Sequence, residues 1–322
     1  MNKQSPLVSI IMLTYNHEKY IREALDSIVY QKTSFPFEVL VGDDASHDHT
    51  PQIIQEYANK YPNIVIPILR EKNLGANQNY IDLVSRCNSD YIAFLDGDDC
   101  WATPNKLQIQ VTFLEKHPEF GGVSGWVNFI DHKSQPLWYV SDDYYCLFPK
   151  HIYKMCDFQR GKVFGQGGAT MLRNFYKSLD FDWRQMYSID PLIGDQITTF
   201  LASLNNTKIY VTKKRFSNYR FISSENAENY TSKINNKTDA FLYYFRYYNS
   251  LEQMYTKLTG KRVSLLPRKS IYLHFYVQNA LSNHKWYSFK NALTILKEEK
   301  HPIKLINECI KFHFKEKKHK QD

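Results

Sequence analysis

The chain has 322 residues, 43% hydrophobic and 23% charged, with a formal net charge of +8. That length allows one large or two modest domains with a sizeable core, and the composition is globular rather than disordered or fibrous. No stretch approaches the roughly 18 apolar residues of a spanning helix, and the N-terminal MNKQSPLVSIIMLTYN carries too short an apolar run for a secretory signal.

Val8–Leu13 reads as a buried strand ending in Thr14-Tyr15-Asn16, and a helix is expected from about Glu18, with Ile21, Ala24, Leu25 and Ile28 on one face. Phe37–Val41 is a second strand, ending in Gly42-Asp43-Asp44-Ala45-Ser46. Thr50-Pro51 reads as an N-cap followed by proline at the first helical position, with Ile53, Ile54 and Tyr57 inward. Ile64–Leu69 is a third strand, whose Pro67 suggests a sheet edge. Asn73-Leu74-Gly75 turns the chain into a helix over Ala76–Cys87 that carries Tyr80, Leu83 and Val84. Tyr91–Leu95 is a fourth strand, followed at once by Asp96-Gly97-Asp98-Asp99. Strand and helix thus alternate in the manner of a mostly parallel α/β sheet, which binds ligands beyond the carboxyl ends of its strands. Three polar strand ends are expected to converge there. No GxGxxG follows the first strand and no Walker loop is present, so a dinucleotide site is not expected.

Three carboxylates within four residues repel one another: two unit charges about 4 Å apart cost roughly 4 kcal/mol at an effective dielectric of about 20. Such a cluster calls for a cation, a proton or hydrogen-bond donors. Oxygen ligands suit Mg²⁺ or Mn²⁺, which in turn hold phosphate oxygens. The plainer alternative is a polar loop whose aspartates cap the next helix.

From Phe120 the pattern changes. Gly121–Asp131 alternates like an antiparallel strand, and residues 132–160 read as irregular and Tyr-rich. Gly165–Leu172 combines a turn with a short strand; Gly167 and Gly168 permit close backbone approach to a ligand, or simply make a tight turn. Asp190–Gln196 leads into a helix bearing Ile197, Phe200, Leu201 and Leu204. Residues 223–238 read as a linker. Beyond it a helical stripe of Phe241, Tyr244, Phe245, Tyr248, Leu251, Tyr255 and Leu258 closes at Gly260, and further helices are expected to start near Pro267, Ser288 and Pro302.

The order SIIMLTYN, VLVGDDASHDHT, NLGANQNY, YIAFLDGDD and IGDQ resembles glycosyltransferase family 2, the inverting sugar transferases of GT-A fold, over roughly residues 5–222. The resemblance implies a GT-A domain over 1–222 with a Rossmann-like, mostly parallel central sheet and flanking helices. A mainly α-helical C-terminal region, 239–322, lies outside it. It implies nucleotide contacts from Thr14, Tyr15, Asn16, Asp43, Asp44, Asn73, Gly75, Asp96 and Asp98, with Asp44 accepting a hydrogen bond from the base. It implies a DxD-type site in which Asp98 or Asp99 binds a divalent metal, Mn²⁺ or Mg²⁺. Asp195 is similar to the family's general base; on spacing alone it reads rather as a helix-initiating aspartate, and the other motifs turn that reading round. Gly167, Gly168, Tyr219 and Arg220 are candidate acceptor or diphosphate contacts. Phe221-Ile222-Ser223 stands where the family often has a histidine, which weakens the last pair.

The function implied is transfer of a sugar from a nucleoside-diphosphate donor, a UDP-sugar, to a glycan, lipid-linked or protein acceptor, as in bacterial surface polysaccharide synthesis. A metal-dependent nucleotidyl transferase or phosphohydrolase, and a non-catalytic sugar-nucleotide-binding scaffold, are the alternatives. Cys87, Cys100, Cys146, Cys156 and Cys309 show no CxxC, so a reducing compartment and no zinc site are expected. The basic balance fits phosphate-rich ligands, nucleic acid or an anionic membrane; with the resemblance, nucleic acid is not expected. The implied location is cytoplasmic, with peripheral contact to the inner face of the plasma membrane through the basic C-terminus. There Ile303, Ile306, Ile310 and Phe314 lie among six lysines. The alternatives are that this face packs on residues 241–296, or that it meets a partner or a second copy.

Overall fold

The computed structural model describes residues 5–137, 151–191, 194–204, 208–221, 240–282, 292–294, 296, 299 and 301–319, with side chains described as far as His313. Residues 138–150 of the Tyr-rich segment, the 223–238 linker, the start near Ser288 and the lysines from Lys315 onward therefore lie outside the described residues or side chains. The chain forms two compact units: Met1–Met155, Val163–Leu179 and Pro191–Ser223; and Cys156–Lys162, Asp180–Asp190 and Ser224–Asp322. The helical unit thus takes in two short pieces of chain that a single division near residue 222 leaves with the first domain.

In the first unit, β1 (Val8–Thr14), α1 (Ile21–Val29), β2 (Phe37–Asp43), α2 (Thr50–Lys60), β3 (Val65–Leu69), α3 (Ala76–Arg86) and β4 (Tyr91–Phe94) alternate as the apolar periodicity predicts. The four strands pair in parallel in the spatial order β3-β2-β1-β4, and a helix makes each crossover, as parallel pairing requires. Covered on both faces, they bury continuous apolar runs: Val8, Ile10, Met12, Val39 and Val41 are all at 0% exposure. Ile21, Ala24, Leu25 and Ile28 pack from α1 and Ile53 and Ile54 from α2. Pro67 sits on the edge strand β3.

Two helix starts differ from expectation. Tyr20 and Ile21 both donate their N–H to the His17 carbonyl at 2.9 Å, so residues 17–20 form a turn and α1 begins three residues late. Thr50 lies inside α2 rather than capping it. Its Oγ1 accepts the His17 N–H at 2.9 Å, while Asp48 accepts the Thr50 N–H.

The sheet continues through β5 (Cys100–Trp101), β6 (Phe120–Ile130), β7 (Ile152–Tyr153), β8 (Met171–Arg173) and β9 (Lys208–Arg220), in the order β4-β8-β6-β9-β5 with β7 also on β9. Helices α4 (Lys106–Lys116), α5 (Met155–Gln159) and α6 (Gly194–Leu204) intervene. Among the described strands β6 is antiparallel to the short β8, and along β9 it runs parallel, with register shifts on either side of Trp126. Periodicity of two reports a half-buried strand but not its partner's direction.

In the second unit, α7 (Ala240–Thr259) buries Phe245, Tyr248, Leu251 and Tyr255 of the expected stripe, joined by Leu242 and Tyr247. α8 (Leu266–Ser282) contributes Leu273 and Tyr276, and α9 (Pro302–His319) contributes Leu305, to one apolar cluster. Lys269 on α8 is 1% exposed, and its ammonium meets Asn249 and Glu252 at 2.7 Å and Glu299 at 3.0 Å. The isoleucine face of α9 does not pack inward. Ile303, Ile306 and Ile310 are 73%, 42% and 48% exposed, because the side turned to the cluster is that of Leu305 and Cys309.

Candidate active site

The parallel register brings three strand ends level. Thr14 lies opposite Asp43, Asp44 donates its N–H to the Thr14 carbonyl at 3.0 Å, and Gly97 donates its N–H to the Leu13 carbonyl at 2.9 Å. The convergence expected from alternation alone is therefore present.

Backbone and carboxylates shape one wall of this cleft. Asn16 adopts φ +56°; its N–H goes to Ser46 Oγ at 2.8 Å and its Oδ1 accepts the His47 N–H at 2.9 Å. Asp43 turns back to accept the Ser46 N–H and hydroxyl. Burial raises its pKa, partly offset by those two bonds. Asp44, 5% exposed, accepts the N–H of Leu74 at 2.8 Å and of Gly75 at 2.9 Å. Asn73 Oδ1 also accepts the Gly75 N–H, and Gly75 adopts φ +82°, a conformation open to glycine. Tyr15 stands edge-on to His47 with ring centroids 6.4 Å apart. Thr14 Oγ1 and His17 Nδ1 are buried without a hydrogen-bond partner among the described residues. Both would lie within 2.8 Å of a Cβ added at Gly97. His17 was not singled out from the sequence; nothing in its local pattern marks it.

The acidic turn sorts its three carboxylates. Asp96 is exposed at the end of β4, within the crowded acidic turn. Desolvation, then the charges of Asp98 and Asp195, push it up to about 7. Asp98 is half-buried. Asp99 is 6% exposed; its carboxylate accepts the Arg220 N–H at 2.7 Å, and burial followed by its two acidic neighbours raises its pKa well above the usual carboxylate range.

Arg220 departs from the expected role. Its side chain is 1% exposed and does not reach out as a diphosphate contact. Nε donates to the Asp98 carbonyl at 2.7 Å, Nη1 to the Asp131 carbonyl at 2.8 Å and Ser134 Oγ at 3.0 Å, and Nη2 to Glu23 Oε2 at 2.7 Å. Four of its five donors are thus committed. Its neighbour Tyr219 packs edge-on against Phe129.

Gly167–Ala169 form a 3₁₀ turn beside the end of β4. A Cβ at Gly167 would lie 3.7 Å from Phe94 Cβ, and one at Gly168 would lie 2.7 Å from Ser217 Oγ. The buried Gln110 holds this turn by donating to the Ala169 carbonyl at 2.9 Å. Asp195 lies exposed in the first turn of α6. The helix is anchored by Thr198 Oγ1 donating to Tyr80 OH at 3.2 Å, and the Tyr80 ring stacks on Phe94. Asp195 is near enough to help raise the Asp96 pKa. Asp195, Asp96, Asp98 and the Gly167–Gly168 turn thus gather around the end of β4.

Among the described residues no group of three or more His, Cys, Asp or Glu side chains forms a preassembled cation cage. Mg²⁺ and Mn²⁺ sites that share their ion with a diphosphate need only one or two carboxylates. Asp96 and Asp98 meet that count, one exposed and one half-buried just beyond the end of β4.

The model of a family described as "Glycosyl transferase family 2" matches residues 9–179, more than half of the chain. An uncharacterised protein of Mycobacterium tuberculosis is 50% identical over 112 residues, 35% of this chain and 32% of that protein. The poly(ribitol-phosphate) β-N-acetylglucosaminyltransferase TarS of Staphylococcus aureus is 35% identical over 112 residues, 34% of this chain and 19% of TarS. The matched stretches thus span about a third or less of these relatives. The crystal structure of S. aureus TarS 1–349 in complex with UDP-GlcNAc shares the fold. Its TM-score is 0.60 at 19% identity, covering 89% of this chain and 79% of that one.

Proposed function

The chain belongs to glycosyl transferase family 2, and from that premise we propose that it transfers a sugar from a nucleoside-diphosphate donor, a UDP-sugar, to a hydroxyl of a glycan or lipid-linked acceptor with inversion at the anomeric carbon. One observation carries this reading: the level strand ends at Thr14, Asp43 and Asp96 together with a carboxylate on a separate helix, Asp195, whose charge reaches Asp96. The local identity to TarS, named as a poly(ribitol-phosphate) β-N-acetylglucosaminyltransferase, supports transfer of a sugar to a polymer acceptor.

In this reading Thr14 and Tyr15 hold the base, with Asn16, Asp43, Asp44, Asn73 and Gly75 shaping its wall. Asp96 and Asp98 would hold Mn²⁺ or Mg²⁺ together with the diphosphate. A bound cation would offset the negative charge that develops on the leaving diphosphate. Asp195 takes the proton of the acceptor hydroxyl; that oxygen bonds to the anomeric carbon as the bond to the diphosphate oxygen breaks, and the nucleoside diphosphate departs. A general base of this kind contributes about 10²–10⁴-fold. No protein nucleophile is needed. Peripheral membrane contact belongs to the same reading and is supported by the exposed isoleucines of α9 beside Lys304 and Lys311.

Release of nucleoside diphosphate from a panel of sugar nucleotides, with Mn²⁺ and with chelator, tests the proposal. Metal-dependent release from a UDP-sugar, accelerated by glycan acceptors, is expected. Release of monophosphate or pyrophosphate instead would mark a nucleotidyl transferase or phosphohydrolase. Donor binding without turnover would mark a scaffold.

A further inference from the structure

The side chains of Glu23 and Arg220 meet beneath the acidic turn. Arg220 reaches the turn twice, through its own N–H to the Asp99 carboxylate and through Nε to the Asp98 carbonyl. Its guanidinium lies over the Tyr20 ring, 4.4 Å from the centroid, and ends on Glu23 at 2.7 Å. Glu23, in the first turn of α1, also accepts the Ser134 hydroxyl at 2.8 Å through Oε2 and faces the Cys100 thiol at 3.4 Å through Oε1. Ser134 in turn accepts from Arg220. One guanidinium and one carboxylate therefore tie the start of α1, the turn at 96–99, the Asp131–Ser134 loop and the end of β9 to a common point.

This arrangement solves two problems. Crowded carboxylates need a positive charge nearby, and Arg220 supplies one beside Asp99, where it works against the effect of burial and of the acidic neighbours. A buried guanidinium needs a counter-charge and satisfied donors, and Glu23 with three oxygens of the loop and turn supplies them. Arg is suited to this because its planar fork fixes several acceptors at once; lysine offers a point charge without that geometry.

We propose that Glu23 and Arg220 are positioning residues that hold the turn at 96–99, and with it Asp98, in the conformation that receives a divalent cation with a nucleoside diphosphate. The proposal rests on the glycosyltransferase reading for the identity of that ligand. Neither residue touches the reacting atoms.

Glu23 is the residue to change, because its side chain is 43% exposed and Glu23→Gln keeps its shape. Two measurements are made on the full chain: amide hydrogen exchange at residues 97–100 without ligand, and calorimetric binding of UDP with Mn²⁺. Expected for Glu23→Gln are exchange at the turn at least tenfold faster and binding at least tenfold weaker, with the central strands β1 and β4 protected as in the wild type. Glu23→Asp, which keeps the charge, recovers part of both. Unchanged exchange at the turn overturns the clamp whatever the ligand result. Faster exchange with binding within twofold of wild type overturns the link to cation and diphosphate. Failure of the wild type itself to bind UDP with Mn²⁺ overturns the ligand reading, while the exchange comparison still judges the clamp. Arg220→Lys serves as the second variant, expected to lose more than Glu23→Gln in both measurements.

Discussion

The charge of Asp195, on the first turn of a helix, reaches Asp96 at the end of a β-strand ninety-nine positions earlier and helps hold its pKa near 7. Burial and Asp98 contribute more, but Asp195 is the partner that local sequence could not supply. The relationship places the proposed base and the proposed donor-binding turn in one electrostatic field.

It also sets a pH dependence. Asp96 has a folded pKa raised above its ordinary value of 3.8, so the metal-free folded state binds the proton more tightly than the unfolded state. Stability is then lost as pH rises from about 4 to about 7, and the raised Asp99 acts with the same sign. Asp96→Asn is expected to flatten that decline, making the metal-free variant more stable than wild type above pH 7 and little different below pH 4. Denaturant titrations in chelator across pH 4–8 measure it; parallel curves for the two proteins would remove Asp96 as the source.

Asp195→Asn is expected to lower kcat by about 10²–10⁴-fold, roughly 3–5 kcal/mol of barrier, with donor affinity nearly unchanged. Asp98→Asn should do the reverse, weakening metal-dependent donor binding while the fold survives. Steady-state kinetics with calorimetry separates the two. An Asp195 variant that loses donor affinity at constant kcat would make it a binding residue.

Gly97 has no room for a side chain. A Cβ there would lie 2.7 Å from Thr14 Oγ1, 2.8 Å from Thr14 Cβ and 2.8 Å from His17 Nδ1, and Thr14 Cβ is fixed to its strand. Gly97→Ala is expected to destabilise by about 1–3 kcal/mol and to weaken nucleotide binding by pushing Thr14 aside. Thermal melting with and without UDP reads both effects; a variant with wild-type melting and affinity would show that the turn can shift freely.

The outward isoleucines of α9 make the membrane idea measurable. Each lysine near an anionic surface contributes about 1 kcal/mol within a Debye length. The full chain is expected to sediment with anionic vesicles and not with neutral ones, and to release as salt rises. Ile306→Ser with Ile310→Ser, both at exposed positions, should weaken this without lowering the melting temperature. Salt-insensitive partition equal on both vesicle types would end the idea.

The sequence made the β1–β4 half of the sheet legible because each element there keeps one clean period. It did not reveal α4 or β9. α4 buries Lys106 and Gln110 at 0% exposure, with the Lys106 ammonium hydrogen-bonded to Gln110 and lying over the Trp101 ring. Polar residues on an inner face erase the helical stripe. β9 reads KIYVTKKRFSNYR, and its basic centre at Lys213, Lys214 and Arg215 is exposed, which masks a strand that pairs along β6. The acidic turn and Asp195 were legible as residue types in order. That Arg220 points inward was not, since burial of a guanidinium depends on acceptors brought from Glu23, Asp98, Asp131 and Ser134 by the finished fold.

Glu23 and Arg220 stand 197 positions apart in the chain. During synthesis at about 5–20 residues per second, Arg220 follows Glu23 by roughly 10–40 s. Within that interval β2 and β4 are made and can pair with β1, and the carboxylates of the 96–99 turn then wait for Arg220. The parallel half of the sheet can therefore form before the acidic turn settles. Ligand competence becomes a late property of the nascent polypeptide, arriving only after β9 has added to the sheet.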